Sequence, residues 1–391
     1  IESENPVVIS TETKALQNQI IEKDIPIAKK ILALDFSAEI ALGSSNYICK
    51  RKLGNVISNG NFGIEMTDHL KNFYEWENNT ESGIKTEYSG FASNEIWSKI
   101  TRESDNCLGK KCPNFSSSYY FLEKEKWRKA NLLVVNHHLL ASHVAGEFKI
   151  LPDFSYLVID DAQNFPEILS KSFGGRLTFT DIQKNLDFIG GQGKKGGILS
   201  KFTSEKSKDL LKEEVKGTGK LLASYFNKLY SEIPISFSSQ RVKTKLKIDE
   251  GELEEALGEI VGELDKELSR IEKNSEDTEA KERTLEIEMV SERLLASKEI
   301  LKKFREKKDP SLVAWLEPPS SFSDEKFPTL CVEPLESAKI FEEKILDKME
   351  SIIFTSATLK NGKNDFSYFK KKLGKLPVRE KVLDSPFDFA K

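Results

Sequence analysis

At 391 residues the chain exceeds one ordinary compact domain and is long enough for two or three. Hydrophobic residues make up 38% and charged residues 31%, which excludes a disordered or fibrous chain. The 59 basic and 63 acidic residues nearly cancel to a net charge of -4, so any nucleic-acid-binding surface has to be local.

No run approaches the ~18 uninterrupted apolar residues that cross a bilayer, and the N-terminus lacks a basic-then-apolar signal pattern. A cytoplasmic location is therefore expected, without a membrane partner. Cys49, Cys107, Cys112 and Cys331 are too few and too unevenly spread for a disulfide scaffold. In a reducing compartment, grouped cysteines suggest metal binding or catalysis.

In chain order, ENPVVISTETKALQNQI reads as a buried strand through Val7, Val8 and Ile9, a hydroxyl-rich loop, then a helix carrying Ala15, Leu16 and Ile20. This is an α/β unit. Residues from about 43 to 125 are rich in Gly, Ser, Asn, Tyr and Cys, with weak periodicity and two short helical patterns, and read as an irregular insertion without a large core of its own. Two further apolar runs follow: Leu132–Val135, leading into Asn136-His-His, and Tyr156–Ile159, ending at Asp160-Asp161. Such runs with polar C-terminal ends are typical of buried parallel strands with a ligand site at their carboxyl edge.

From about 174 to 310 the pattern becomes long, charged and helical, with Leu253, Leu257, Ile260, Val261, Leu264, Leu268 and Ile271 on one face. The break at KNSEDTEAKERT predicts an antiparallel helical hairpin. Thr329–Val332 and Ser351–Phe354 then read as short buried strands, so a helical insertion interrupts one α/β domain.

YLVIDDAQ is an apolar strand ending in two carboxylates, a geometry able to hold Mg²⁺ through water and to activate an attacking water. FTSATL is a strand ending in hydroxyls, which alone suits a turn or helix cap equally well. Gly217-Thr-Gly-Lys220 mimics the tail of a Walker A motif, but Glu214, Leu221 and a helical context mark it as a decoy.

The ordered series VVISTETKALQNQI, LLVVNHHLL, VIDDAQN and FTSATL resembles motif Ia, the segment before Walker B, the DEAH box and motif III of the DinG/XPD-type superfamily-two DNA helicases. VAWLEPP with VEPLESAKIF resembles the return from that family's Arch insertion, and SPFDF at Ser385–Phe389 the joint to its second motor domain.

The resemblance implies a RecA-like α/β motor domain in three parts, 1–42, 126–173 and 313–391. They would be interrupted by an iron-sulfur-type insertion, 43–125, and a helical Arch, 174–312. It also implies ATP with Mg²⁺ as cofactor and single-stranded or forked DNA as partner, with roles in repair or replication. Walker A would precede Ile1, and the second motor domain would follow Lys391. The chain thus resembles an internal piece, expected to hydrolyse ATP poorly by itself.

Carried over residue by residue, Asp160 fits the Mg²⁺-associated carboxylate. Asp161 stands where the family has its water-activating Glu, and Gln163 replaces the His that couples the nucleotide site to Ser356 and Thr358 of motif III. Thr11 and Thr13 match motif Ia hydroxyls that could meet DNA phosphates, and Lys50, Arg51 and Lys52 form a basic cluster that reads equally as a solvated run. Cys49, Cys107 and Cys112 fit three ligand positions of a four-iron four-sulfur cluster, while Ser118 occupies the fourth. A hydroxyl binds iron poorly, so three thiolates with a labile or three-iron cluster, Ser118 oxygen as fourth ligand, or a lost cluster all stay open. Tyr119–Phe121 suits packing around that loop better than base stacking, and His137 and His138 suit packing or support better than metal binding. A non-catalytic single-strand-binding or scaffold derivative is the alternative reading. A helicase-related nuclease is a weaker one, because no convincing nuclease metal site is visible.

Overall fold

The apolar run Val7–Thr11 forms strand β1, and Thr13 caps the helix that follows, α1 (Lys14–Gln19), its hydroxyl accepting from the Leu16 N–H at 3.2 Å. Helix α2 (Ile25–Leu32) carries a proline in its first turn, where a missing N–H costs nothing, and leads through left-handed Ala33 to β2 (Ala38–Ile40). Helices α3 (Lys50–Asn59), α4 (Ile64–Asn79), α5 (Asn94–Ile100) and α6 (Tyr119–Lys129) come next. Strand β3 (Leu132–Asn136) passes directly into α7 (His137–Ala145), whose first turn is capped by the Asn136 side chain accepting from the Leu139 N–H at 2.8 Å. β4 (Tyr156–Asp160), α8 (Phe165–Ser172) and β5 (Gly175–Leu177) follow.

A capping box between Thr178 and Asp181 starts α9 (Phe179–Gly190), ahead of the long helices α10 (Glu205–Ser231), α11 (Glu252–Leu268) and α12 (Thr278–Glu306). The last elements are β6 (Leu312–Glu317), β7 (Thr329–Pro334), α13 (Ser337–Lys344), β8 (Ser351–Thr355) and α14 (Ser367–Leu373). This computed structural model describes residues 5–59, 64–90, 94–191, 197–231, 251–271, 278–306, 308–319, 326–361, 365–374 and 377–383. Ser385–Phe389, read as the joint to a second motor domain, lies outside the described residues.

β1, β2, β3, β4 and β8 form one parallel sheet in the order β2-β3-β1-β4-β8. Thr11 pairs with Asn136 and Asp160 with Thr355, so the polar ends of four strands share one carboxyl edge. Helices cover a core that includes Val8, Leu133, Val135, Leu157 and Ile159, giving the α/β architecture that apolar runs with polar ends imply.

Two expectations fail here. Residues 43–125 are more helical than their weak periodicity suggests, and their side chains are continuous with the main core. Tyr47, Phe73, Trp97, Tyr119, Tyr120 and Trp127 are all buried, and large aromatics at irregular spacing bury area that no periodic pattern reveals. Tyr119 and Tyr120 are thus packing residues, as their sequence context suggests. Gly83 is required beneath them, because it has φ +63° and a Cβ there would lie 2.3 Å from the Tyr119 ring.

The second failure concerns β7, whose apolar run 329–332 reads as a strand of the α/β sheet. It pairs antiparallel with β5 and β6 in a separate three-stranded sheet, and its Leu330 and Val332 join the core of the long helices. A short buried run is the same string in either sheet, so the pattern cannot assign it. The helical unit also exceeds a hairpin, since α9, α10, α11 and α12 share that core. Gly217–Lys220 lies within α10, a helix and not a phosphate-cradling loop, which agrees with its reading as a decoy.

His143, in the last turn of α7, is 1% exposed, and its Nδ1 accepts from the N–H groups of Ile150 and Leu151 at 3.1 and 3.0 Å. Burial, with Lys124 and Lys348 nearby, holds its pKa down at about 4. Below pH ~6.5 the unfolded chain takes up a proton that the folded chain refuses, so the stability gained from a neutral His143 is complete above that pH. It falls between ~6.5 and 4 by up to about 1.4 kcal/mol per pH unit. Urea unfolding across this range should show His143→Gln losing about one proton's worth of the wild-type slope; an unchanged slope refutes the assignment.

Candidate functional site

β4 delivers Asp160 to the carboxyl edge between β1 and β8, and the chain then turns sharply at Asp161, which adopts the left-handed conformation (φ 51°, ψ 39°). Asp is one of the few residues with a side chain that tolerates this region. A 3-10 turn, Ala162–Asn164, starts α8 and fixes the spacing from Asp160 to Gln163. Burial raises the Asp160 carboxyl above its ordinary pKa, and the adjacent Asp161 carboxylate raises it further. Two crowded carboxylates are a donor set that a divalent cation would relieve, so the residues fit Mg²⁺.

Ser356, just beyond β8, donates its hydroxyl to Gln163 Oε1 and accepts from the Thr358 N–H at 3.0 Å. The Ser356 and Thr358 hydroxyls are 3.3 Å apart. The structure therefore joins the residues after β4 to those after β8 through Gln163, although this position holds an amide and not an imidazole. Asn164 donates to Glu12 at 2.9 Å, tying the same turn to the loop after β1.

Of the two motif Ia hydroxyls, Thr13 is exposed and Thr11 is fully buried. Thr11 turns its hydroxyl toward the Asp160 carboxylate without reaching a full hydrogen bond. Its full burial makes it unavailable to a DNA phosphate.

The second constellation lies at the start of α3, the loop before α6 and the α6 N-cap. Cys49, Cys107, Cys112 and Ser118 line one small recess, partly open to solvent, together with Arg51 and Arg102. The cysteines are unbridged thiols. Burial pushes the Cys112 thiol up, with neighbouring Cys49 and Cys107 adding to the effect against the Arg51 charge. Ser118 caps no N–H of α6 with its side chain, so its hydroxyl is uncommitted to the helix.

Among the described residues no three His, Cys, Asp or Glu side chains are close enough to hold a single metal ion. Cys49, Cys107 and Cys112 bring to this recess soft sulfur donors of the kind an iron-sulfur cluster takes.

The basic cluster is engaged within the protein. Lys50 pairs with Glu77 at 2.9 Å, Lys52 with Glu103, and Arg51 with Glu282 at 3.4 Å. Arg51 also donates to both the carbonyl and the side-chain oxygen of Asn106 at 2.9 Å. These charges were expected to face DNA or water, but the acidic partners lie far away in sequence and could not be matched to them from spacing. Arg293 of α12 reaches Asp105 at 2.6 Å and Glu103 at 3.4 Å, joining the helical unit to the cysteine-bearing loop. Sequence reasoning left His137 among packing candidates, and the structure buries it fully.

A parallel sheet with paired carboxylates at its carboxyl edge, linked to the hydroxyl end of the neighbouring strand, gives the domain an α/β site of the kind found at strand ends. In sequence it is similar to helicases of the DinG and YoaA type. It is 28% identical to the ATP-dependent DNA helicase YoaA of Haemophilus influenzae, over 98% of this chain and 57% of that protein. It is 27% identical to the YoaA of Escherichia coli, over 100% of this chain and 58% of that protein. The 3'-5' exonuclease DinG of Bacillus subtilis is 26% identical over 51% of this chain and 21% of its own length. The chain thus spans somewhat more than half the length of the YoaA relatives. Named as helicases, they lend no support to a non-catalytic derivative. No protein-family model matches the chain, and no helix among the described residues is long and apolar enough to cross a membrane.

Proposed function

We propose that this chain forms the first motor domain, with its two insertions, of an ATP-dependent DNA helicase that translocates on single-stranded DNA in the cytoplasm and unwinds duplex. The observation that carries this reading is the Asp160–Asp161 pair at the end of β4, in a turn whose Gln163 accepts a hydrogen bond from Ser356 after β8.

Asp160 would hold Mg²⁺ through water, and Asp161 would orient the attacking water and take its proton on a carboxylate oxygen. Gln163 passes any displacement at that turn to Ser356 and Thr358 by a hydrogen bond that needs no titration. Thr13, exposed at the α1 N-cap, is the motif Ia hydroxyl placed to donate to a DNA phosphate.

Cys49, Cys107 and Cys112 would hold an iron-sulfur cluster with Ser118 at its fourth position, in an insertion spanning 43–125. The unit 174–312 would correspond to the Arch, with its last charged contacts on the cysteine-bearing loop made by Arg293.

The test is ATP hydrolysis by the full-length natural protein with and without single-stranded DNA. Stimulation by DNA that falls at least ~100-fold in Asp160→Ala is expected. Absence of stimulation in the wild type, or full activity in Asp160→Ala, would defeat the proposal.

A further inference from the structure

The 3-10 turn after Asp161, Ala162–Asn164, is held from both sides of β4. Gln163 accepts from Ser356 in the loop after β8, and the next residue, Asn164, donates from Nδ2 to Glu12 Oε2 at 2.9 Å in the loop after β1. The second contact is the less expected one. Asn164 is the N-cap of α8, where an Asn side chain ordinarily accepts from a first-turn N–H, yet it makes no such cap and reaches across to Glu12 instead. The helix forgoes a stabilising cap for this contact. Both side chains are half-buried and the acceptor is a carboxylate, so the bond is charge-assisted and less screened than one in open water.

Glu12 stands between Thr11, buried at the sheet edge, and Thr13, exposed at the N-cap of α1. Lys14 donates to Asn46 Oδ1 at 2.6 Å, in the 3-10 turn Ser44–Asn46 ahead of Cys49. The loop after β1 is thus tied on one side to the carboxylate turn and on the other to the cysteine-bearing segment. Adjacent Cα atoms lie ~3.8 Å apart, so a group that engages Thr13 acts within one residue of the Glu12 carboxylate. A phosphate anion bound there repels that carboxylate and loads its bond to Asn164.

We infer that Glu12 and Asn164 are a pair of positioning residues that couple two ligands: through their hydrogen bond, single-stranded DNA at the loop after β1 resets the turn that begins at Asp161. The inference rests on the proposed function for the ligands themselves, a DNA phosphate and Mg²⁺-ATP, and adds the connection between them.

The experiment uses the full-length natural protein and two readouts. ATP hydrolysis is measured with and without single-stranded DNA, and affinity for a fluorescent single-stranded oligonucleotide is measured with and without a non-hydrolysable ATP analogue and Mg²⁺. In the wild type, DNA should stimulate hydrolysis and the analogue should change DNA affinity, because coupling between binding sites is reciprocal. Glu12→Ala and Asn164→Ala should each cut the stimulation roughly tenfold and abolish the effect of the analogue, with the DNA-free rate and the analogue-free DNA affinity within about threefold of wild type. The double variant should be no worse than either single one, because both remove the same bond. Glu12→Gln keeps an oxygen that accepts from Asn164 and should recover part of the stimulation.

Should Glu12→Ala fail to fold, Asn164→Ala carries both readouts. Wild-type stimulation and a wild-type analogue effect in a folded alanine variant overturn the coupling, as does a double variant whose loss is the product of two independent ones. A wild type that DNA stimulates but whose DNA affinity ignores the analogue also overturns it. A wild type that DNA does not stimulate overturns the proposed function, and the coupling with it.

Discussion

Asp161→Glu is expected to raise kcat for ATP hydrolysis by the full-length protein about a hundredfold, with KM for ATP within about threefold of wild type. The added methylene moves the carboxylate forward by about an ångström, and a misplacement of that size costs on the order of 10² in rate. A small change in side chain thus has a large effect, because proton abstraction demands a hydrogen-bond distance to the water.

The backbone sets the cost of the exchange. Asp161 sits at φ 51°, where a short polar side chain is tolerated and a longer one less so. The variant should therefore lose about 1 kcal/mol of stability as it gains rate, roughly the penalty of a left-handed residue. Steady-state kinetics beside a urea melt separate the two effects. Equal kcat in wild type and variant would mean that Asp161 does not address the attacking water.

How far the sequence reveals this site depends on which side chains act locally. β1, β3, β4 and β8 are legible because an apolar run ending in hydroxyls or carboxylates has few uses other than a buried parallel strand. Even the Gln163–Ser356 link follows from motif order. β7 is not legible, since its apolar run suits either sheet. The inward commitment of Lys50, Arg51 and Lys52 is equally hidden, because Glu77, Glu103 and Glu282 come from three distant segments. The aromatic core of 43–125 escapes a periodic reading because Phe73, Tyr88 and Trp97 meet through the folding of separate segments. Cysteine spacing points to residues that do share one recess, where hydrophobic spacing is silent, and a shared cluster would require soft donors there.

Ser118→Cys tests that requirement directly. Ser118 lines the recess of Cys49, Cys107 and Cys112 at the N-cap of the eleven-residue helix α6, with its side chain unused as a cap. A thiol placed there would be exposed to the positive end of α6, which lowers thiol pKa and favours the thiolate that iron takes. The native hydroxyl is far harder to ionise. With three thiolates, one iron of a four-iron cluster lacks a strong ligand and should be lost first on exposure to air. Aerobically purified wild type should hold about three irons per chain, and Ser118→Cys about four with matching acid-labile sulfide. Protein purified anaerobically should narrow that gap if the oxygen of Ser118 serves as a weak fourth ligand. Iron below about one per chain in both proteins would show that the recess, despite its three converging thiols, holds no cluster.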